Sequence, residues 1–189
     1  RIASQTIMRD ALAVSFQQNL GHDWVDDAEL RYDANTKVEN KIPFDIEQFN
    51  KITNNGFNKK TLNIFIAQTH AGKSLFMCHM ATHNLTMGYN VLYLSFELSD
   101  LQIGERIDAN ILDTDMRNLY QGGKNSYLRK IEHAKQKKLG KLYIQSWASG
   151  TSNINKIRHF IEELKLKRSF VPDIIYVDYL NIIEPRSKM

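Results

Sequence analysis

The sequence predicts an α/β fold, a mainly parallel sheet flanked by helices, and three observations carry that reading. Short apolar runs of strand length, at 61–66 (TLNIFI), 91–96 (VLYLSF), 141–146 (KLYIQS) and 173–178 (DIIYVD), alternate with stretches of helical periodicity. A loop of Ala67, Gln68, Thr69, His70, Ala71, Gly72, Lys73 and Ser74 joins the first run to a helix-like one. The last run ends on an acid, Asp178.

Composition bounds the answer. A chain of 189 residues, 42% hydrophobic and 24% charged, fits one globular domain with a short attachment. The net charge of +4 is compatible with a polyanionic partner without demanding one. The single cysteine, Cys78, rules out an intrachain disulfide and suits a reducing compartment. No apolar run nears the roughly 20 residues of a membrane span, and no charged-then-apolar leader opens the chain, so the expectation is a cytoplasmic protein. Arg1 in place of Met predicts a fragment or a processed product.

In chain order, residues 1–20 place Ile2, Ile7, Met8, Ala11, Val14 and Phe16 at helical spacing, and Gly21 supplies a stop. A second short helix is expected over 23–32, with Trp24, Val25 and Leu30, and a polar linker over 33–40. The domain boundary is placed there, giving a helical linker segment at 1–40 and a core at 41–189. Ile46, Phe49 and Ile52 predict a short helix that turns at Asn54-Asn55-Gly56, ahead of 61–66 as the first core strand.

The loop then fits the phosphate-binding pattern Gly-x-x-x-x-Gly-Lys-Ser/Thr, with Ala67 at the first glycine position. That pattern lets successive backbone N–H groups curl around phosphate oxygens, a lysine reach the terminal phosphates and a hydroxyl hold Mg²⁺. The helix expected over 73–87 is apolar around much of its circumference and so is predicted to be buried. His79 and His83 share its face with Cys78 adjacent, a spacing open to metal binding, but no further ligand is evident and ordinary packing is the simpler reading.

Glu97 follows the 91–96 strand. Two readings stay open from the residues alone: a carboxylate at a strand's C-terminal end that orients an attacking water, or a charge at the start of the helix capped by Ser99 and Asp100. That helix is expected to run to about residue 112. A short helix over 113–120 and a glycine break precede a helix at 126–139, whose Arg129, Lys130, Lys135, Lys137 and Lys138 form a solvated face or, less simply, a nucleic-acid contact. Ile154, Ile157, Phe160, Ile161 and Leu164 make one apolar stripe over a helix at 153–167. Asp178, ending the last strand, matches a carboxylate that holds Mg²⁺ opposite the Ser74 hydroxyl.

Taken in order, KIPF at 41–44, the loop, LSFE at 94–97, ERIDAN at 105–110 and FVPDIIYVDYLN at 170–181 resemble the DnaB-like hexameric helicases, in particular the replicative DNA helicases of T-even-type bacteriophages. The resemblance extends from about residue 23 onward. It implies a RecA-like P-loop ATPase core and a ring-shaped homo-hexamer that binds ATP with Mg²⁺ between subunits and moves along single-stranded DNA. It further implies a primase and a helicase loader as partners, and the cytoplasm of a bacterial host as the location. Carried onto this sequence, residues 67–74 bind nucleotide, Lys73 and Glu97 act in hydrolysis, and Ser74 and Asp178 hold Mg²⁺, Asp178 directly or through water.

The same resemblance places an N-terminal domain before Arg1, an arginine finger and DNA-binding loops after Met189, and residues 1–20 on a neighbouring protomer. The 189-residue chain alone is thus expected to bind ATP or ADP but to hydrolyse poorly. Ala67 keeps the small side chain that a tight turn needs. The alternatives are a RecA-type recombinase ATPase, which forms an open filament, and a non-catalytic interaction module that retains the nucleotide fold.

Overall fold

The structure, a computed structural model, describes residues 21–37 and 40–179. The helix expected over 1–20 lies outside the described residues, as does everything from residue 180 onward. The described residues fall into two compact units that divide between Asn40 and Lys41.

In the first unit, helix α1 (Ala28–Thr36) starts later than expected and runs into the stretch read as a linker. No residue of it is buried. Local hydrogen bonds sustain it instead of an apolar stripe: Asn35 Nδ2 donates to the Arg31 carbonyl at 2.8 Å and Thr36 Oγ1 to the Tyr32 carbonyl at 2.9 Å. The Arg31 guanidinium folds back onto the Trp24 and Asp23 carbonyls. Composition alone reads such a segment as loop because its polar side chains satisfy their own backbone.

The second unit opens with helix α2 (Glu47–Thr53), which ends where Asn54 and Asn55 turn left-handed at φ 53° and 72°. The turn brings Phe57 back against Ile42, and the two exchange backbone hydrogen bonds of 3.1 and 2.8 Å. Gly56, at φ +125°, makes this approach possible, because a Cβ there would collide with the Ile42 carbonyl.

Helix α3 (Lys73–Thr86), strand β1 (Val91–Ser95), helix α4 (Asp100–Ile111), a 3₁₀ turn (Met116–Asn118), helix α5 (Gly123–Lys135), strand β2 (Leu142–Ser146), helix α6 (Ile154–Arg168) and strand β3 (Ile174–Asp178) follow. The three strands are parallel in the order β2-β1-β3, with Ser95 in register with Ser146 on one side and Asp178 on the other. Every residue of the central strand β1 is buried, as a strand covered on both faces must be. Val91 and Tyr93 face a core built from α3 and α4, whereas Leu92 and Leu94 face one built on Ile157, Leu164 and Phe170. Ser99 caps α4 through a reciprocal pair with Gln102, and Asn153 caps α6 by accepting the Lys156 N–H.

One expected strand is missing. Residues 61–66 pair with no strand among the described residues, and Leu62, Ile64 and Ile66 are exposed. Apolar alternation reports side chains, but a strand exists only where a neighbouring backbone accepts its N–H groups. What holds this segment is aromatic packing, since Phe65 sits edge-on to Phe44, Phe57 and Phe76 with ring centroids 6.5, 6.3 and 5.0 Å away. The sheet therefore has three strands among the described residues where the sequence predicts four.

Two glycine substitutions separate close approach from ordinary helix propensity. Gly56→Ala is expected to lower unfolding free energy by about 1–3 kcal/mol in denaturant melts. Gly104→Ala in α4, whose added methyl would meet only Ile144 Cδ1 at 4.0 Å, is expected to raise it by about 0.5–1 kcal/mol.

Candidate functional site

The loop before α3 is shaped by two left-handed residues, His70 at φ 62° and Gly72 at φ 89°. A turn bond from the Ala71 N–H to the Gln68 carbonyl at 3.1 Å closes it, and Ala67, Gln68, Thr69, His70, Ala71 and Gly72 are all exposed. Gly72 N-caps α3 without a side-chain hydrogen bond, and no acid occupies the first turn. The positive end of the helix thus faces outward unopposed, the condition under which a helix N-terminus receives an anion.

Lys73 is the first residue of that helix, and its side chain turns toward the sheet. Its Nζ lies 2.8 Å from Asp178 Oδ1 and 4.0 Å from the centroid of the Tyr179 ring. Asp178 closes β3 with its side chain fully buried, while Lys73 retains 23% exposure. The strand register fixes the acid's position, because the Phe96 N–H donates to the Asp178 carbonyl at 2.8 Å. Asp178 Oδ2 accepts a hydrogen bond of 3.4 Å from the Tyr93 hydroxyl, which in turn accepts from the Cys78 thiol at 3.8 Å. Burial pushes the Tyr93 phenol well above its ordinary range and raises the Cys78 thiol, so each keeps its proton.

Asp178 Oδ1 is a buried atom with an ionic neighbour but no hydrogen bond in proper geometry. The under-satisfied carboxylate oxygen of Asp178 and the hydroxyl of half-buried Ser74, the residue that follows Lys73 at the start of α3, are the kind of donors that Mg²⁺ takes from proteins: hard oxygens, few of them, with the remaining positions left to phosphates and water. The residues present therefore fit Mg²⁺. No cluster of three His, Cys, Asp or Glu able to hold a metal occurs among the described residues.

Glu97 lies just past the end of β1 with its side chain exposed. Because β1 and β3 run in parallel register, it shares the C-terminal end of the sheet with Asp178. No hydrogen bond or ion pair joins it to Lys73, Ser74 or Asp178. The structure thus brings Lys73 and Asp178 together, places Ser74 next to Lys73 in the chain, and leaves Glu97 at the same end of the sheet without a hydrogen bond or ion pair to them.

His79 and His83 do share a helix face, but what they share it with is a carboxylate. His79 Nε2 is 2.8 Å from Asp45 Oδ2 and His83 Nδ1 is 3.4 Å from Asp45 Oδ1. They fasten the segment before α2 to α3, while Cys78 points inward to Tyr93. Arg129, Lys130, Lys135, Lys137 and Lys138 are exposed, as a solvated helix face would be, and Lys135 pairs with Glu132 at 3.0 Å. A shallow groove of about 570 Å³ between the end of α4 and α5 includes Arg129, Lys130 and Lys137, away from the loop. Sequence reasoning missed Tyr93 and Tyr179. The available signal was a tyrosine inside an apolar strand, since a buried hydroxyl requires a partner.

The ion pair is testable without any ligand. In a double-mutant cycle on Lys73→Ala and Asp178→Asn, unfolding free energies are expected to show a coupling of about 0.5–3 kcal/mol, toward the lower part because Lys73 is partly solvated. Additive effects would show that the two side chains do not interact.

Residues 42–189 match the family of the DnaB-like helicase C terminal domain. The chain is also 41% identical over 179 residues, 93% of its length, to the "DnaB-like replicative helicase" of Enterobacteria phage T4, and this match spans 38% of that relative. A parallel sheet flanked by helices, with a glycine-lysine loop leading into the first of them, is what a RecA-like core provides. The chain belongs to the DnaB-like helicase C-terminal domain family.

Proposed function

We propose that this chain is the nucleotide-binding part of a replicative DNA helicase, which couples ATP hydrolysis to movement along single-stranded DNA and duplex unwinding. The observation that carries the proposal is the convergence of Lys73, at the open N-terminus of α3, with the buried Asp178 at the end of β3. A cation and a carboxylate are thereby presented together at the sheet end where α/β folds bind ligands. Family membership and the T4 relative support the same reading.

In this reading the exposed loop from Ala67 to Gly72 and the first N–H groups of α3 receive the β- and γ-phosphates of ATP. Lys73 exchanges its ion pair with Asp178 for the terminal phosphates and neutralises charge that develops there during transfer. Ser74 and Asp178 would hold Mg²⁺, Asp178 directly or through one water, and the ion would supply positive charge that offsets the charge of the phosphates. Glu97 orients the attacking water and accepts its proton. Its exposure in the structure is compatible with a role completed only when substrate is present.

The assembly we propose is a homo-hexameric ring with nucleotide between subunits, working with a primase and a helicase loader in the cytoplasm of a bacterial host. No helix among the described residues is long and apolar enough to cross a membrane.

Binding and hydrolysis separate the roles. Lys73→Ala is expected to abolish Mg²⁺-dependent ATP binding measured by calorimetry. Glu97→Gln in the assembled, DNA-stimulated enzyme is expected to keep binding and to lose turnover by about 10²-fold or more. Turnover unchanged by Glu97→Gln removes that residue from the mechanism, and binding unchanged by Lys73→Ala removes the loop.

A further inference from the structure

The Asp178 carboxylate is fully buried, and two groups from other parts of the chain address it. One is Lys73, at 2.8 Å from Oδ1, and the other is the Tyr93 hydroxyl, at 3.4 Å from Oδ2. These differ in permanence. Lys73 is the first residue of α3, keeps 23% exposure and, in the function proposed above, leaves for a phosphate. Tyr93 lies in the middle of β1 with no exposure, its ring stacked on that of Tyr176 at 5.9 Å and 17°, and it has nowhere to go.

The direction of the hydrogen bonds follows from chemistry. An ionised carboxylate only accepts, so the phenol must donate to it. The phenol oxygen is then free to accept, and the buried Cys78 thiol on α3 donates to it at 3.8 Å. A thiol on the helix that begins with Lys73 therefore fixes the phenol, and the phenol fixes one oxygen of the acid. Oδ1, which has no hydrogen bond of its own, is left as the oxygen turned to the Lys73 side.

We infer that Tyr93 is a positioning residue for Asp178: its hydroxyl holds Oδ2 so that Oδ1 remains aimed into the site when Lys73 moves to a phosphate. The inference rests on the functional reading above, in which Oδ1 faces Mg²⁺ or its water. Groups in this outer position orient a metal's ligands, and their removal weakens metal affinity by about 10–100-fold.

Tyr176 supplies the control. It is buried in the same core, stacks on Tyr93 and is a neighbour of Asp178 in β3, but its hydroxyl donates to Asn84 Oδ1 at 2.6 Å instead. Each phenylalanine variant removes one buried hydroxyl from the same core, and only one of those hydroxyls touches the acid.

The experiment is ADP binding to the chain by calorimetry across a Mg²⁺ titration, and in EDTA, for the parent, Tyr93→Phe, Tyr176→Phe and Asp178→Asn. Tyr93→Phe is expected to raise the Mg²⁺ concentration at half-effect by about 10-fold or more, with Mg²⁺-free ADP binding unchanged. Tyr176→Phe is expected to keep the parental value. Equal behaviour of the two phenylalanine variants overturns the role of Tyr93 alone, provided that Asp178→Asn loses the Mg²⁺ response. A parental response in Asp178→Asn, or none in the parent, overturns the site reading and this inference with it. If Tyr93→Phe does not fold, a crystal structure of the parent with Mg²⁺ and ADP decides: a Tyr93 hydroxyl still within hydrogen-bond distance of Asp178 Oδ2, with Oδ1 turned to Mg²⁺ or its water, supports the role, and an Oδ2 released from that hydroxyl overturns it.

Discussion

A carboxylate with no solvent exposure, Asp178, sits at the end of a parallel strand, and the arrangement around it depends on how its charge is met. A lone ionised group in an apolar interior is strongly unfavourable, and a lysine brought to 2.8 Å offsets that only in part. Replacing such a pair by well-packed apolar residues is often neutral or stabilising, so the pair is a poor device for stability by itself. It makes sense as a poised arrangement, in which the cation is available to a competing anion and the acid is available to a competing cation.

The fold positions both partners with little freedom. Parallel pairing of β1 and β3 sets Asp178 beside Ser95, and the Phe96 N–H locks that end of the strand. α3 packs over β1 through Met77, Met80 and Ala81, which directs its N-terminus to the same end. The left-handed turn at Gly72 then releases the chain into an exposed loop just where Lys73 enters the helix. Two pieces of sequence about a hundred residues apart thus become one site through ordinary α/β packing.

Much of this was legible in the sequence because the signals were local. Gly72-Lys73-Ser74 before an apolar helix, and an apolar run ending in Asp178, each state their own geometry. The cap at Ser99 could be read the same way, whereas that at Asn153, read only as the start of a helix, emerges from the structure. What was not legible is pairing at a distance. Residues 61–66 have the alternation of a strand, but no described strand lies against them, and Phe65 commits them to an aromatic cluster instead. Tyr93 reads as one more core residue of β1 until the register shows that its hydroxyl reaches Asp178. His79 and His83 have the spacing of a metal pair, and only the fold reveals Asp45 between them. α1 reads as partly linker because it has no apolar stripe and its polar side chains bond to carbonyls of their own helix.

In the proposed function, Lys73 and Asp178 form a pair that nucleotide breaks. A crystal structure of the chain with Mg²⁺ and a non-hydrolysable ATP analogue tests this most directly. Phosphate oxygens are expected within hydrogen-bond distance of Lys73 Nζ and of the 67–74 backbone N–H groups, with Asp178 turned to Mg²⁺ or a water bound to it. A nucleotide seated elsewhere, with Lys73 still on Asp178 at 2.8 Å, would contradict it.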